Sequence, residues 1–143
     1  MATKTDFTEQ EWSALQKGMT GSGMLVSLSD RDLTDSFGEA GAMGKYLSGA
    51  QVASASPLVR DLARTHGTGF GFTASPEKVR AETMEALKSS VTTLSAKAPD
   101  ELPAYRELVL GLAKAVADAK GGEKPVETQM ISEIGEALGG NAG

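Results

Sequence analysis

Apolar residues recur along the chain at the three- and four-residue spacing that is typical of amphipathic helices. The clearest run is Tyr105, Leu108, Val109, Leu112 and Val116, whose offsets of 3, 4, 7 and 11 residues match the helical period of 3.6. We therefore predict a helix over this run. Nowhere does the chain show the sustained two-residue alternation that is typical of a half-buried β-strand.

A capping box predicts the first helix. Thr8 is followed three residues later by Glu11, the spacing at which each side chain can accept a hydrogen bond from the other residue's backbone N–H. We predict a helix from about Glu9 to Lys17. Gly18 begins an interruption, but residues 19–28 are too apolar for a surface loop, so we predict a second, buried helix there.

Residues 56–57 and 75–76 are both Ser-Pro, the pairing of an N-cap residue with proline at the first helical position. The first pair predicts a short helix that ends at His66, and the second predicts a long helix that ends near Lys97. After the break at residues 120–125, apolar spacing resumes and predicts a last helix that ends at Gly139.

The segment between these helices contains many small residues. Ala40, Met43, Leu47 and Ala50 lie at helical spacing, and most of the other inner positions from 38 to 49 are Gly or Ser. Interior glycines weaken a helix but allow a neighbouring backbone to come close. We therefore predict a central, tightly packed helix, with a break in the chain as the alternative.

The fold class that follows is all-α. A chain of 143 residues has the size of one domain, and aromatic residues are only 5% of it, so Leu, Val, Met and Ala must form most of the core. We predict a single domain over residues 1–143, a bundle of six or seven helices, with flexible segments at 1–7 and 139–143.

Charge and cysteine content exclude several classes of function. The net charge is −5 and the 14 basic residues are scattered, so the basic patch of a nucleic-acid-binding protein is missing. The chain has no cysteine, which excludes disulfides and thiolate chemistry. No segment resembles a leader or a membrane span, so we expect a cytoplasmic location and no membrane partner.

An acidic cluster is the strongest candidate for chemistry. Asp30, Asp32, Asp35 and Glu39 lie within ten positions, yet their spacing does not match an EF-hand loop. Oxygen ligands for Ca²⁺ or Mg²⁺ can still converge from Asp30, Asp32 and Glu39. The alternative is a solvated helix start, where carboxylates are favoured by the helix dipole. A hydrolase with paired carboxylates would need a buried acid, which nothing in the sequence indicates.

Two further features have structural and functional interpretations. His66 is the only histidine, and near a helix end it favours capping over a role in a pH-sensitive contact. Residues 67–74 are rich in glycine and contain Phe70 and Phe72, which either pack onto the body of the protein or bind a partner.

Two stretches of the chain, 26–47 and 116–139, are weakly similar to each other. In each, an apolar helix gives way to a short polar or glycine-containing turn, and a glutamate, Glu39 or Glu127, then opens the next helix. This layout resembles the TerB-like family of tellurite-resistance and related helical proteins. The resemblance implies two related halves in an all-α fold and an acidic face that binds divalent metal.

Transferred to this chain, the resemblance implies that Asp30 and Glu39 correspond to the acidic positions of the first motif and Glu127 to that of the second. Lys120 replaces the second aspartate and offers no oxygen to a cation, so the implied site is a weak one. With Asp32 added from the acidic cluster, the expected ligands of Ca²⁺ or Mg²⁺ are Asp30, Asp32, Glu39 and Glu127.

The functional expectation is a non-enzymatic, stress-related binding module with a protein partner or a second copy of itself. The alternative is a metal-free interaction or self-assembly module, which the small-residue face over 38–49 and the apolar C-terminal helix suggest. No certain cofactor is implied beyond the divalent cation.

Overall fold

A computed structural model of the chain describes residues 4–29, 45–50, 56–64, 76–118 and 125–139. These residues form six α-helices and two short 3-10 turns, and none of them lies in a β-strand. The all-α prediction is therefore confirmed. In chain order the helices are α1 (Glu9–Ser29), α2 (45–50), α3 (Pro57–Arg64), α4 (Pro76–Lys97), α5 (Leu102–Asp118) and α6 (Pro125–Ala137), and the 3-10 turns are Lys4–Asp6 and Pro99–Glu101.

The first helix corrects the prediction of two separate helices, because α1 continues through Gly18 and Gly21. A Cβ atom at Gly18 would lie 2.5 Å from the Tyr105 hydroxyl oxygen and 2.9 Å from a methyl group of Leu87. At Gly21 it would overlap the side chain of Thr83. Compared with alanine, each interior glycine lowers the stability of a helix by about 1 kcal/mol. Here glycine allows the neighbouring helices to approach closely. Tertiary packing therefore keeps the helix whole.

Three of the predicted helix ends are confirmed, at the starts of α1 and α3 and at the end of α6. The Thr8 N–H donates to Glu11 Oε1 at 2.9 Å, and the Glu11 N–H donates to Thr8 Oγ1 at 3.1 Å. Ser56 caps α3 by accepting the N–H of Val59 at 3.2 Å. At the end of α6, Gly139 adopts a positive φ of 73°, a backbone conformation that glycine adopts without strain.

Residues 4–7, which belong to the segment predicted to be flexible, lead into the first helix. The turn Lys4–Asp6 precedes Phe7, which is buried and packs against Trp12 with the ring centroids 6.2 Å apart. Lys97 lies over the Phe7 ring at 5.9 Å from its centroid. Burial of this aromatic side chain favours the packing of Phe7 against the first helix, because it removes a large apolar area from water.

The helix predicted around residues 40–50 is confirmed over residues 45–50, the part that the structure describes. Its predicted tight packing is confirmed only on the side that carries Tyr46 and Leu47. Leu47 is fully buried, and the Tyr46 ring packs directly over Gly111 of α5. Gly49 is exposed, and a Cβ added there would meet nothing within 4 Å. The interior glycines of α1 are close-packing positions, and Gly49 is not.

Contacts between α1 and α4 show that these two helices are antiparallel. Glu11, near the start of α1, forms an ion pair with Lys97 at the end of α4. Further along, Gly21 of α1 lies against Thr83, near the start of α4. The hydroxyl of Tyr105, near the start of α5, donates to the Leu15 carbonyl at 2.9 Å, so α5 starts beside the first half of α1.

The last helix is antiparallel to α5. Arg106, near the start of α5, donates from Nε to the carbonyl oxygen of Leu138 at 2.8 Å, just past the end of α6. Arg80, in the second turn of α4, pairs with Glu133 in the middle of α6. The C-termini of α1 and α5 and the N-termini of α4 and α6 therefore lie at one end of the bundle, which we call the α1 C-terminal end.

The core is aliphatic, as the composition predicts, and α1 lies at its centre, in contact with α4, α5 and α6. All five apolar residues of the run that begins at Tyr105 are buried. Ile131 and Ile134 of α6, and Leu138 just past its end, also face the core. The largest fully buried side chains are Tyr105, Leu15, Met19, Leu47, Leu58, Leu62, Leu87, Leu94, Leu112, Ile134 and Leu138.

Candidate functional site

Most of the residues proposed from the sequence as ligands or contacts lie outside the described residues. This group comprises Asp30, Asp32, Glu39, His66, Phe70 and Phe72. Glu127 belongs to the described backbone, as the third residue of α6. In the described part of the chain, no three His, Cys, Asp or Glu side chains come together in a way that could hold a metal ion.

The helix directions bring the C-terminus of α1 and the N-terminus of α6 to the same end of the bundle. Asp30 is the next residue in the sequence after Ser29, the last residue of α1, and Glu127 lies in the first turn of α6. Both helix termini belong to the α1 C-terminal end. No basic residue occupies the last turn of α1 or of α5, the two helices whose carbonyl ends face this side.

Charged side chains border the contact between α1 and α4. Lys17 Nζ lies 2.9 Å from Glu82 Oε1, and Lys97 pairs with Glu11. All four side chains keep part of their surface exposed to solvent. Ion pairs of this kind contribute little to stability and are screened by salt.

These ion pairs lower the pKa of both glutamates. The pKa of Glu11 is lowered from 4.5, first by the hydrogen bond from Lys97 and then by the backbone N–H of Thr8. The pKa of Glu82 is lowered from 4.5 by the hydrogen bond from Lys17, with smaller help from the charges of Lys17 and Lys78. Both carboxylates are therefore ionised at neutral pH, and both act as acceptors between helices.

A groove of about 290 Å³ lies along the outer edge of the same contact. Most of its lining side chains are polar, on both helices, and no aromatic side chain lines it. The lining residues are Gln10, Ser13, Ala14 and Lys17 from α1 and Glu82, Glu85, Ala86 and Ser89 from α4. The groove is small for a ligand pocket and lacks the apolar lining that most such pockets have.

Several polar side chains of α1, α4 and α5 are buried in the bundle. Ser22 donates to the Gly18 carbonyl at 2.6 Å, and Tyr105 donates to Leu15. Burial raises the pKa of the Tyr105 hydroxyl far above its ordinary value, while the nearby Ser90 hydroxyl acts in the opposite direction. Among the described residues, the buried side-chain atoms without a hydrogen bond of normal geometry include Trp12 Nε1, Thr20 Oγ1, Thr83 Oγ1 and Ser90 Oγ.

A second polar connection joins α3 to the rest of the bundle. Ser56 Oγ donates to Glu101 Oε2, while the same oxygen accepts the N–H of Val59. Glu101 belongs to the turn Pro99–Glu101 and is only 7% exposed. The buried carboxylate therefore fixes the N-terminus of α3 against the connection between α4 and α5.

Sequence reasoning missed both of these polar features. Lys17 and Glu82 are 65 residues apart, and Ser56 and Glu101 are 45 apart. Only the packing of one helix on another sets which residues meet, and the hydrophobic pattern does not determine that register. For Ser56 the Ser-Pro pair did indicate a cap, but it gave no sign of the buried carboxylate.

Comparison of the chain with protein-family models, with curated proteins and with solved structures finds no match. None of the described helices combines the length and the apolar character that crossing a membrane requires.

Proposed function

We propose that this protein is a non-enzymatic, TerB-like binding module that takes a divalent cation at the α1 C-terminal end of the bundle. The ligands in this proposal are Asp30, Asp32, Glu39 and Glu127. The observation that supports it is the antiparallel arrangement of α1 and α6, since Asp30 directly follows the end of one helix and Glu127 opens the other. Residues separated by almost a hundred positions can therefore act at the same end of the molecule.

The chemistry of the four residues agrees with this proposal. Carboxylate oxygens are the preferred ligands of Ca²⁺ and Mg²⁺, and water and backbone carbonyls complete the shell in both cases. The α1 C-terminus adds backbone carbonyl groups without a basic side chain in its last turn. The positive charge of Lys120 opposes cation binding, so the proposed site is weak and fills only at a high cation concentration.

The metal-free alternative, self-assembly, has less support from the described residues. It partly depended on the apolar side of the C-terminal helix, and Ile131, Ile134 and Leu138 of that side are buried inside the bundle. A second copy of the chain could use this face only after α6 had left its place.

A thermal melt tests the cation site. Chelator-treated protein is melted alone and with millimolar Ca²⁺, Mg²⁺, Mn²⁺ or Zn²⁺. A cation that binds only the folded state adds about 2.7 kcal/mol of stability at a hundredfold excess over its dissociation constant, which raises the midpoint by several degrees. We expect such a rise with Ca²⁺ or Mg²⁺, and we expect Asp30→Asn and Glu127→Gln to remove it.

Two matched variants control for the loss of a negative charge. Asp118→Asn removes an exposed carboxylate from the end of α5, at the same end of the bundle. Glu136→Gln removes an exposed carboxylate from the other end of α6. Both should keep the response to the cation. Equal responses from all four variants, or no response in the wild-type protein, would contradict the proposed site.

A further inference from the structure

We draw no further inference here: the strongest candidate, the polar groove between α1 and α4 that Lys17, Glu82 and Glu85 line, carries nothing, because none of the unpartnered buried side chains among the described residues lines it and nothing in the structure shows what would occupy it.

Discussion

The α1–α4 contact and the α5–α6 contact belong to the same bundle but are built differently. Between α1 and α4, glycine and hydroxyl-bearing residues bring the two helices close together, and ion pairs border the contact. Along α5 and α6 the buried residues are mostly aliphatic, and Arg106 donates a hydrogen bond to the Leu138 carbonyl just past the end of α6. Close approach therefore depends on small side chains in the first contact, and burial of large ones dominates the second.

The difference shows that close packing and strong packing are separate properties. Gly18 and Gly21 allow short distances between helices, but they contribute no side chain of their own to the core. Large aliphatic side chains remove more surface from water and make more van der Waals contacts. We therefore expect substitutions in the two contacts to differ in how much stability they remove and in how many helices they affect.

The largest expected effect comes from truncating a large residue of α5. Leu112 is fully buried, so Leu112→Ala should lower the free energy of unfolding by about 2–5 kcal/mol, through lost burial and the cavity left behind. Urea denaturation measures this loss, and hydrogen exchange should show it in every helix. Leu110 of the same helix is only partly buried, so Leu110→Ala is the matched control with a clearly smaller loss. Equal losses would contradict the assignment of the core face.

Two glycine-to-alanine variants should change the free energy of unfolding in opposite directions. Gly18→Ala places a methyl group against Tyr105 and Leu87 and should destabilise the protein by about 1–3 kcal/mol. Gly49→Ala places the same methyl group in open space on a helix and should stabilise by about 0.5–1 kcal/mol. Thermal and urea unfolding of both variants test the comparison. Destabilisation by both would show that glycine is needed at α2 as well.

Two tyrosine variants compare a buried hydroxyl with an exposed one. Tyr105→Phe removes a buried hydrogen bond to the Leu15 carbonyl and should cost about 0.5–1.5 kcal/mol, since that carbonyl keeps its helical partner. The Tyr46 hydroxyl reaches the Glu107 carbonyl only at 3.4 Å, in an exposed position, so Tyr46→Phe should change stability little. A larger loss from Tyr46→Phe would reverse this ranking.

Much of this fold could be predicted from the sequence because its determinants are local. The period of the α5 residues, the capping box at Thr8 and the Ser-Pro start at 56 all depend on residues within a few positions of each other. The continuity of α1 could not be predicted, since Gly18 reads as a break until Tyr105 is known to lie against it. The partner helix, and not the glycine, decides the outcome.

Part of the candidate site could likewise be predicted from the sequence, and part could not. Its acidic residues are evident from composition and spacing, and the separation of Asp30 from Glu127 by 97 positions left their relative placement open. The helix directions bring the C-terminus of α1 and the N-terminus of α6 to one end of the bundle. Binding of a cation by Asp30, Asp32, Glu39 and Glu127 stays a prediction, as do the contacts proposed for Phe70 and Phe72.

The smallest expected effect is a dependence on acid pH that is specific to the α1–α4 contact. Because the folded-state pKa values of Glu11 and Glu82 lie below 4.5, the unfolded chain binds protons more readily at these positions. The stabilisation from both ion pairs is therefore fully present above pH 4.5 and is lost as the pH falls through the folded-state values. At that point Lys97 and Lys17 lose their ionised partners.

Urea unfolding of the wild-type protein and of Glu82→Gln across this range isolates one ion pair from the protonation of all other carboxylates. The two proteins should differ in stability above pH 4.5, and the difference should shrink as the pH falls, because Glu82 becomes neutral in the wild-type protein as well. Glu85→Gln, in which this ion pair is intact, should show no such convergence. A difference that is constant with pH would mean that the Glu82 side chain stabilises α4 by packing, and the α1–α4 contact would then resemble the α5–α6 contact more than its charges indicate.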